Sequence, residues 1–387
     1  MIPEACAPLF SPFSLRSLRL RNRIVVSPMQ MYSARDGVVG DWHLVHLGRF
    51  ALGGAGLVIM EATAICPEGR STVHDNGLWS NEQIAGYRRI TDFIRANGGA
   101  TAVQLQHAGR KASSQAPWHG FGPLDEKSSA FDEKPWQAWG PDERGWSDNY
   151  PKARAITESD AQYLLECYRS AARRALQSGF DAIEIHAAHG YLLHSFLSPL
   201  SNSRHDNYGG ELSARMQFPL AVVQAVREVW PDDKPLLCRI SCVDGLDIGW
   251  TLSDSIILAK HLKAAGVDVI DCSSGGMNLP TKEHLLPRRP GFQVPFATTI
   301  REQADIPTMA VGLIAQAHQA NSIIEHREAD LVALARELLW NPNWALHAGQ
   351  TLDHDPSFNE WPHQYGWWLA RRRHSMPRNT VTKHEAE

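Results

Sequence analysis

The sequence predicts a single (β/α)8 barrel, and three observations carry that prediction. Eight short apolar or β-branched runs recur along the 387 residues, helical segments separate them, and polar groups collect at the ends of the runs. The runs occupy 23–29, 57–64, 100–107, 182–188, 236–243, 269–276, 307–312 and 331–336. Several are apolar on both faces, as strands between a barrel interior and an outer ring of helices must be. The chain exceeds an ordinary domain of about 150 residues, and a barrel uses such length as one unit. Residues 1–387 are therefore expected to form one domain.

The elements between the strands follow from local pattern. The helix over 159–178 opens after Thr157-Glu158-Ser159-Asp160, whose hydroxyl and carboxylate side chains suit a helix start. It carries Leu164, Leu165, Tyr168, Ala172 and Leu176 and stops at Gly179. Two stretches break the alternation. The first, 108–157, follows the third strand and contains Trp118, Trp136, Trp139 and Trp146 with several prolines and glycines. It is too long for an ordinary connector and reads either as a lid over the substrate or as a surface hairpin stapled by its own tryptophans. The second is an extension over 361–387, where Trp361, Tyr365, Trp367 and Trp368 precede Arg371-Arg372-Arg373 and a polar tail. Those aromatics need burial, on their own barrel or on a neighbouring subunit.

Composition narrows the function. With 43% hydrophobic and 21% charged residues the chain is a folded globular protein. A net charge of −4 gives no electrostatic basis for binding nucleic acid or an anionic membrane. No apolar run reaches the roughly eighteen residues of a membrane span. Met1-Ile2-Pro3-Glu4 lacks a basic region leading into a signal core, so a cytoplasmic location is expected. Cys6, Cys66, Cys167, Cys238, Cys242 and Cys272 are scattered, and the close pair Cys238 and Cys242 shares one strand-like run. They read as packing residues, with no metal site expected.

A barrel places its chemistry at the C-terminal ends of its strands. His107, His186, His189, Arg239, Gly275-Gly276, Gly312 and Arg336 all stand in or at the ends of predicted strands. The turns around Gly312 and Ala335-Arg336 offer backbone N–H groups and a guanidinium to a phosphate, the alternative being an Arg336–Glu337 surface pair beside a packing glycine. A guanidinium inside a strand, as at Arg239, needs an anion or several acceptors. A flavin ring, negative around N1 and the C2 carbonyl when reduced, would serve. The Gln104 amide can donate and accept at the pyrimidine edge of the same ring. In His186-Ala187-Ala188-His189-Gly190-Tyr191, two imidazoles can aim N–H donors at one substrate oxygen, and Tyr191 lies close enough to give a proton. The same histidines suit a metal, so a metal-dependent barrel hydrolase is the second reading. No Gly-x-Gly-x-x-Gly fingerprint occurs. A nicotinamide reductant must therefore enter the pocket of the oxidising substrate, each in turn.

Longer motifs carry a resemblance that spans nearly the whole chain. They are Pro8-Leu9-Phe10-Ser11-Pro12, Leu20-Arg21-Asn22-Arg23-Ile24, Ser27-Pro28-Met29 and Val103-Gln104-Leu105-Gln106-His107-Ala108-Gly109-Arg110. The histidine and tyrosine motif, Phe196-Leu197-Ser198-Pro199-Leu200-Ser201-Asn202, 204–210, Ala310-Val311-Gly312 and Ala335-Arg336-Glu337-Leu338 complete the set. Together they resemble the Old Yellow Enzyme flavin oxidoreductases, in the branch of thermophilic-like ene-reductases and xenobiotic reductases. The resemblance implies non-covalent FMN reduced by NAD(P)H, with ping-pong transfer of hydride from flavin N5 to activated C=C bonds, and nitro compounds and quinones as further acceptors. It implies an FMN shell of Ser27, Pro28, Met29, Gln30, Ala62, Gln104, Arg239, Gly312, Ala335 and Arg336. His186 and His189 would hold the substrate oxygen, Tyr191 would protonate the α-carbon, and Tyr32 would line the substrate side. Trp368, with Arg371 or Arg372, is similar in placement to a segment that reaches a neighbouring subunit's site, which implies a homo-oligomer, a dimer or tetramer. Gln30 stands where the branch carries a cysteine that modulates the flavin. Its amide can donate to flavin O4 or N5. That departure points to a specialised aromatic or polycyclic substrate, or to an oxygen-using role.

Overall fold

Strands buried on both faces must close on themselves or be covered, and here they close. In the computed structural model, which describes residues 7–125, 134–278 and 286–375, the eight runs are β1 (Ile24–Val26), β2 (Leu57–Ala64), β3 (Ala100–Gln106), β4 (Ala182–Ala187), β5 (Leu236–Ser241), β6 (Val269–Ser273), β7 (Thr308–Ala310) and β8 (Leu331–Leu334). Every residue in them is buried. All pair in parallel with their neighbours, and β8 returns to β1 with Val332 opposite Ile24. The strands are shorter than the runs because the chain turns into its loops at their ends.

The outer ring comprises α1 (Asp41–Leu52), α2 (Ile84–Ala96), α3 (Glu158–Gln177), α4 (Leu212–Arg227), α5 (Leu252–Ala264), α6 (Val294–Ala304), α7 (Ala317–Glu325) and α8 (Trp344–Thr351). α3 begins one residue before its predicted start. Thr157 Oγ1 accepts from the Asp160 N–H at 3.2 Å while the Asp160 carboxylate accepts from the Thr157 N–H at 3.0 Å. Thr251 and Asp254 repeat the reciprocal cap at α5. Each such cap stabilises its helix by about 1 kcal/mol.

Strand residues alternate between the helix layer and the barrel interior. Inside, Val25, Leu57, Ile59, Ala102, Leu237, Val269, Met309 and Ala333 belong to one apolar cluster in the lower half of the barrel. An N-terminal hairpin, Phe13–Leu15 paired with Leu18–Leu20, adds Leu15 and Leu20 to this cluster and closes the lower mouth. Two residues further along the same inward rows, the interior becomes polar with Ser27, Gln104, Glu184, Arg239 and Asp271, all buried. The sequence thus puts its apolar filling at the bottom and its chemistry at the top.

A last helix, α9 (His363–Ser375), forms the extension. Trp361 is buried, whereas Tyr365, Trp367 and Trp368 are exposed, so burial of these three on their own barrel does not occur. The tail over 376–387 lies outside the described residues. No described helix is long and apolar enough to cross a membrane.

Candidate active site

Arg239 comes to the barrel axis because position 239 of β5 points inward, opposite His186 of β4 and Asp271 of β6. Its Nη1 donates to Ser27 Oγ at 3.1 Å, and its Nε lies 3.2 Å from Asp271 Oδ2. Beside it, Gln104 Nε2 donates to Glu184 Oε2 at 2.6 Å. Burial and the neighbouring Asp271 push the Glu184 carboxyl well above the usual carboxylate range. Ser27 and Asp271 thus meet part of the cost of burying Arg239 within the protein, while its Nε makes no hydrogen bond.

His186 ends the inward row of β4, and the turn that follows brings His189 and Tyr191 to the same corner. The His186 ring lies 5.1 Å from that of His189 and 4.9 Å from that of Tyr191, in each case edge to face. His186 Nδ1 accepts from the Ala188 N–H at 3.3 Å, which leaves its Nε2 to carry the hydrogen. His189 Nε2 lies 2.6 Å from Ser273 Oγ. Burial, then the positive charges of Arg239 and Lys111, hold both imidazoles well below their usual range, so both are neutral at neutral pH. The turn is fixed from behind by His194, whose Nδ1 accepts from the Gly190 N–H at 2.9 Å and whose Nε2 lies 3.0 Å from Asp244 Oδ1.

Tyr191 donates its hydroxyl hydrogen to Gln30 Oε1 at 3.0 Å, and Gln30 Nε2 donates to Asp75 Oδ2 at 3.0 Å. Both ends of the Gln30 amide are thus engaged within the protein, where the sequence suggested donation to the flavin. Asp75 is buried and accepts from the Ser71 and Thr72 N–H groups as well. Tyr32, at φ +52°, meets the ring of Trp118 edge-on at 5.6 Å. His107 turns away from this corner: its ring packs on Trp139 and its Nδ1 accepts from the Gly109 N–H. Trp368 touches Trp367 and is 66% exposed, so the structure does not bring it to the site of its own chain.

The described tryptophans of the excursion dock on different loops of the barrel face. Trp136 Nε1 donates to the Glu68 carbonyl beyond β2, Trp139 meets His107 beyond β3, and Trp146 lies under the Lys111 ammonium. Trp118 reaches Tyr32 beyond β1 and remains 64% exposed. Residues 126–133 lie outside the described part.

A cavity of about 860 Å³ opens at the upper ends of β6, β7 and β8, lined by Gly275, Gly276, Gly312, Ala335 and Arg336 among others. A Cβ built on Gly275 meets nothing within 4 Å, so the glycine leaves open space on the cavity wall. No carboxylate pairs with Arg336 among the described residues, and an Arg336–Glu337 surface pair is absent there. The one-turn helix Arg336–Trp340 starts at this wall. Backbone N–H groups, a guanidinium with no carboxylate partner among the described residues and the open space at Gly275 fit the phosphate end of FMN. Arg239, Gln104 and Ser27, buried in the polar upper interior, offer donors and acceptors suited to its ring.

Residues 8–355 match the NADH:flavin oxidoreductase / NADH oxidase family. The chain belongs to that family. It is 42% identical over 346 residues to an NADPH dehydrogenase of Geobacillus thermodenitrificans, covering 89% of this chain and 94% of the relative. A Listeria monocytogenes NADPH dehydrogenase is 43% identical over 347 residues, with 89% and 95% covered. Among solved structures, a morphinone reductase variant in complex with tetrahydroNAD superposes with a TM-score of 0.72 at 27% identity, covering 89% of this chain and 91% of that one. A 2-naphthoyl-CoA reductase shares the fold with a TM-score of 0.79 at 23% identity, and this chain spans 53% of its length. This flavin oxidoreductase is therefore an Old Yellow Enzyme relative that uses FMN, with NAD(P)H as reductant. The hydrolase reading falls with that assignment.

Sequence reasoning missed Asp75, Lys111 and the carboxylates Glu184 and Asp271. The last two left a signal: each sits at an inward position of a strand flanking Arg239, where a lone charge calls for a partner. Asp75 and Lys111 left none, since they meet Tyr191 only through folded loops.

Proposed function

We propose that this flavin oxidoreductase reduces activated C=C bonds, with α,β-unsaturated carbonyl compounds as the principal acceptors and nitro compounds and quinones as further ones. Bound FMN would supply the hydride chemistry, with NAD(P)H as its reductant. The observation that carries the reading is the convergence of two neutral imidazoles and a phenol on one corner above Arg239. A neutral His186 Nε2–H, with His189 beside it, polarises a carbonyl or nitro oxygen and thereby makes the β-carbon electrophilic. Tyr191, kept protonated by burial and by Asp75, is the donor to the α-carbon. Ser27, Pro28, Met29, Gln30, Ala62, Gln104, Arg239, Gly312, Ala335 and Arg336 form the FMN shell, with Arg336 at the phosphate and Gln104 and Arg239 at the ring. Tyr32 lines the substrate side.

The exposed Trp118 beside Tyr32 favours an aromatic or polycyclic acceptor, because an indole at the rim offers a stacking face. The chain acts as one FMN-binding domain in the cytoplasm. The exposed Tyr365, Trp367 and Trp368 support a homo-oligomer in which Trp368 serves a neighbour's site.

The test is an anaerobic absorption experiment on purified protein. Flavin bands should bleach with NADPH or NADH and return on addition of an enone such as 2-cyclohexenone. Bands that bleach but return only with oxygen overturn the C=C reading. A colourless protein that cannot take up FMN overturns the site assignment as a whole.

A further inference from the structure

An amine holds the junction between the excursion and the histidine and tyrosine turn. Lys111 ends the single-turn helix Gly109–Lys111 just beyond β3. Its Nζ donates to the His189 carbonyl at 2.6 Å and to the Gly276 carbonyl at 2.9 Å. The same ammonium lies 3.9 Å from the ring centre of Trp146 and 5.3 Å from that of Tyr191. The residue is half-buried, and the amine is its enclosed end. Among the described residues no carboxylate pairs with it. The titratable groups that face it are Tyr191, whose ring it overlies, and His186 and His189, on which its charge acts.

An enclosed ammonium without a counter-ion is costly and persists where carbonyl dipoles and aromatic faces stand in for water. Burial lowers this amine to about 7, so its charge changes within the working range of most enzymes. The backbone at this spot is also tightly packed. His189, Gly190 and Gly276 have φ of +60°, +74° and +101°. A Cβ on Gly190 would come within 2.8 Å of Trp146, and one on Gly276 would fall on the His189 backbone. The two carbonyls that Lys111 grips belong to this junction.

We propose that Lys111 is a positioning residue whose ammonium pins the turn carrying His189 and Tyr191 to Trp146, so that the excursion and the proton donor are set together. The proposal rests on the reading of Tyr191 as the donor. When the Tyr191 O–H bond breaks and its proton goes to the substrate α-carbon, a phenolate remains until water returns a proton. The ammonium over the ring stabilises that phenolate. Loss of the Lys111 proton removes the charge and weakens the pin, because a neutral amine is a poorer donor to the two carbonyls.

The experiment uses FMN-loaded wild type, Lys111→Arg, Lys111→Met and Tyr191→Phe. Flavin reduction by NADPH and reoxidation by 2-cyclohexenone are followed separately, from about pH 6 to about pH 9. Wild-type reoxidation is expected to fall by about tenfold across this range, while Lys111→Arg, which stays charged, stays flat within about twofold. Lys111→Met should reoxidise slowly throughout, with reduction by NADPH changed by less than about threefold. A wild-type alkaline fall retained in Lys111→Arg, or a wild-type reoxidation rate in Lys111→Met, overturns the proposal. If Lys111→Met does not retain FMN, the comparison of wild type with Lys111→Arg decides. Tyr191→Phe at the wild-type rate overturns the donor reading itself. Tyr191→Phe slow with both Lys111 variants at wild-type behaviour overturns the role of Lys111 alone.

Discussion

The Tyr191 hydroxyl hydrogen rests on Gln30 Oε1, 3.0 Å away, although the two residues are 161 positions apart in sequence, one after β1 and one after β4. Through the same amide Gln30 holds the buried Asp75. An amide is suited to this place because it accepts from the phenol with one end and donates to the carboxylate with the other, which a thiol cannot do in the same geometry.

Gln30→Leu is therefore expected to leave Tyr191 without its acceptor and Asp75 short of a donor, at a cost of about 1–3 kcal/mol in stability measured by denaturant unfolding. Gln30→Cys should shift the flavin midpoint potential in a redox titration. A shift within experimental error would show that position 30 acts on Tyr191 and not on the ring.

His186→Ala should weaken binding of a simple phenol by about tenfold, corresponding to one lost hydrogen bond to a charged or strongly polar oxygen. The readout is a spectroscopic titration of the long-wavelength band that phenolates give with oxidised flavin. Unchanged affinity would remove His186 from the oxygen-binding role.

Acid stability follows from His107. Burial lowers its imidazole to about 3 from an unfolded value near 6.5. Between these values the unfolded chain binds a proton that the folded chain refuses, so the contribution is present above about pH 6.5 and is lost as pH falls toward 3. The contribution is on the order of 5 kcal/mol. In His107→Gln the fall in unfolding free energy between about pH 6.5 and 4 should be visibly shallower than in wild type. Equal slopes would place the acid sensitivity elsewhere, His46, His186 and His189 being the other buried imidazoles lowered by desolvation.

Adjacent glycines at the end of β6 should respond differently to alanine. Both have positive φ, but a Cβ at Gly275 meets open space and one at Gly276 meets the His189 backbone. Gly275→Ala is expected to cost about 1 kcal/mol from backbone strain alone. Gly276→Ala should cost several times more and lower FMN content, because the turn carrying His189 must move. Similar losses in unfolding midpoint for the two variants would contradict this geometry.

The strands were legible because the side chains of a barrel strand are apolar toward both the helices and the interior, so each run stands out without alternation. The corner of His186, His189 and Tyr191 was legible because it is contiguous and placed by one strand end. Arg239 was legible as a charge in need of a partner, but the partner was assigned to the cofactor when Asp271 supplies part of it. Reading inward positions across neighbouring strands would have found that pair. Lys111 and Asp75 belong to loops whose paths no periodicity encodes, and the direction in which His107 points depends on the docking of Trp139. The tryptophan count marked the excursion as special, yet only tertiary packing assigns each indole to its loop.

Leu15 and Leu20 stop the barrel from below like a cork in the narrow end of a funnel. Traffic through a funnel so stopped has one doorway. On the proposed mechanism, spent nicotinamide must back out before an acceptor can come in, and the water that restores the Tyr191 proton must pass the same threshold. At high concentration either partner then becomes an obstacle to the other, and the time a spent molecule takes to leave sets a ceiling on turnover that no improvement in the chemistry at Tyr191 can lift.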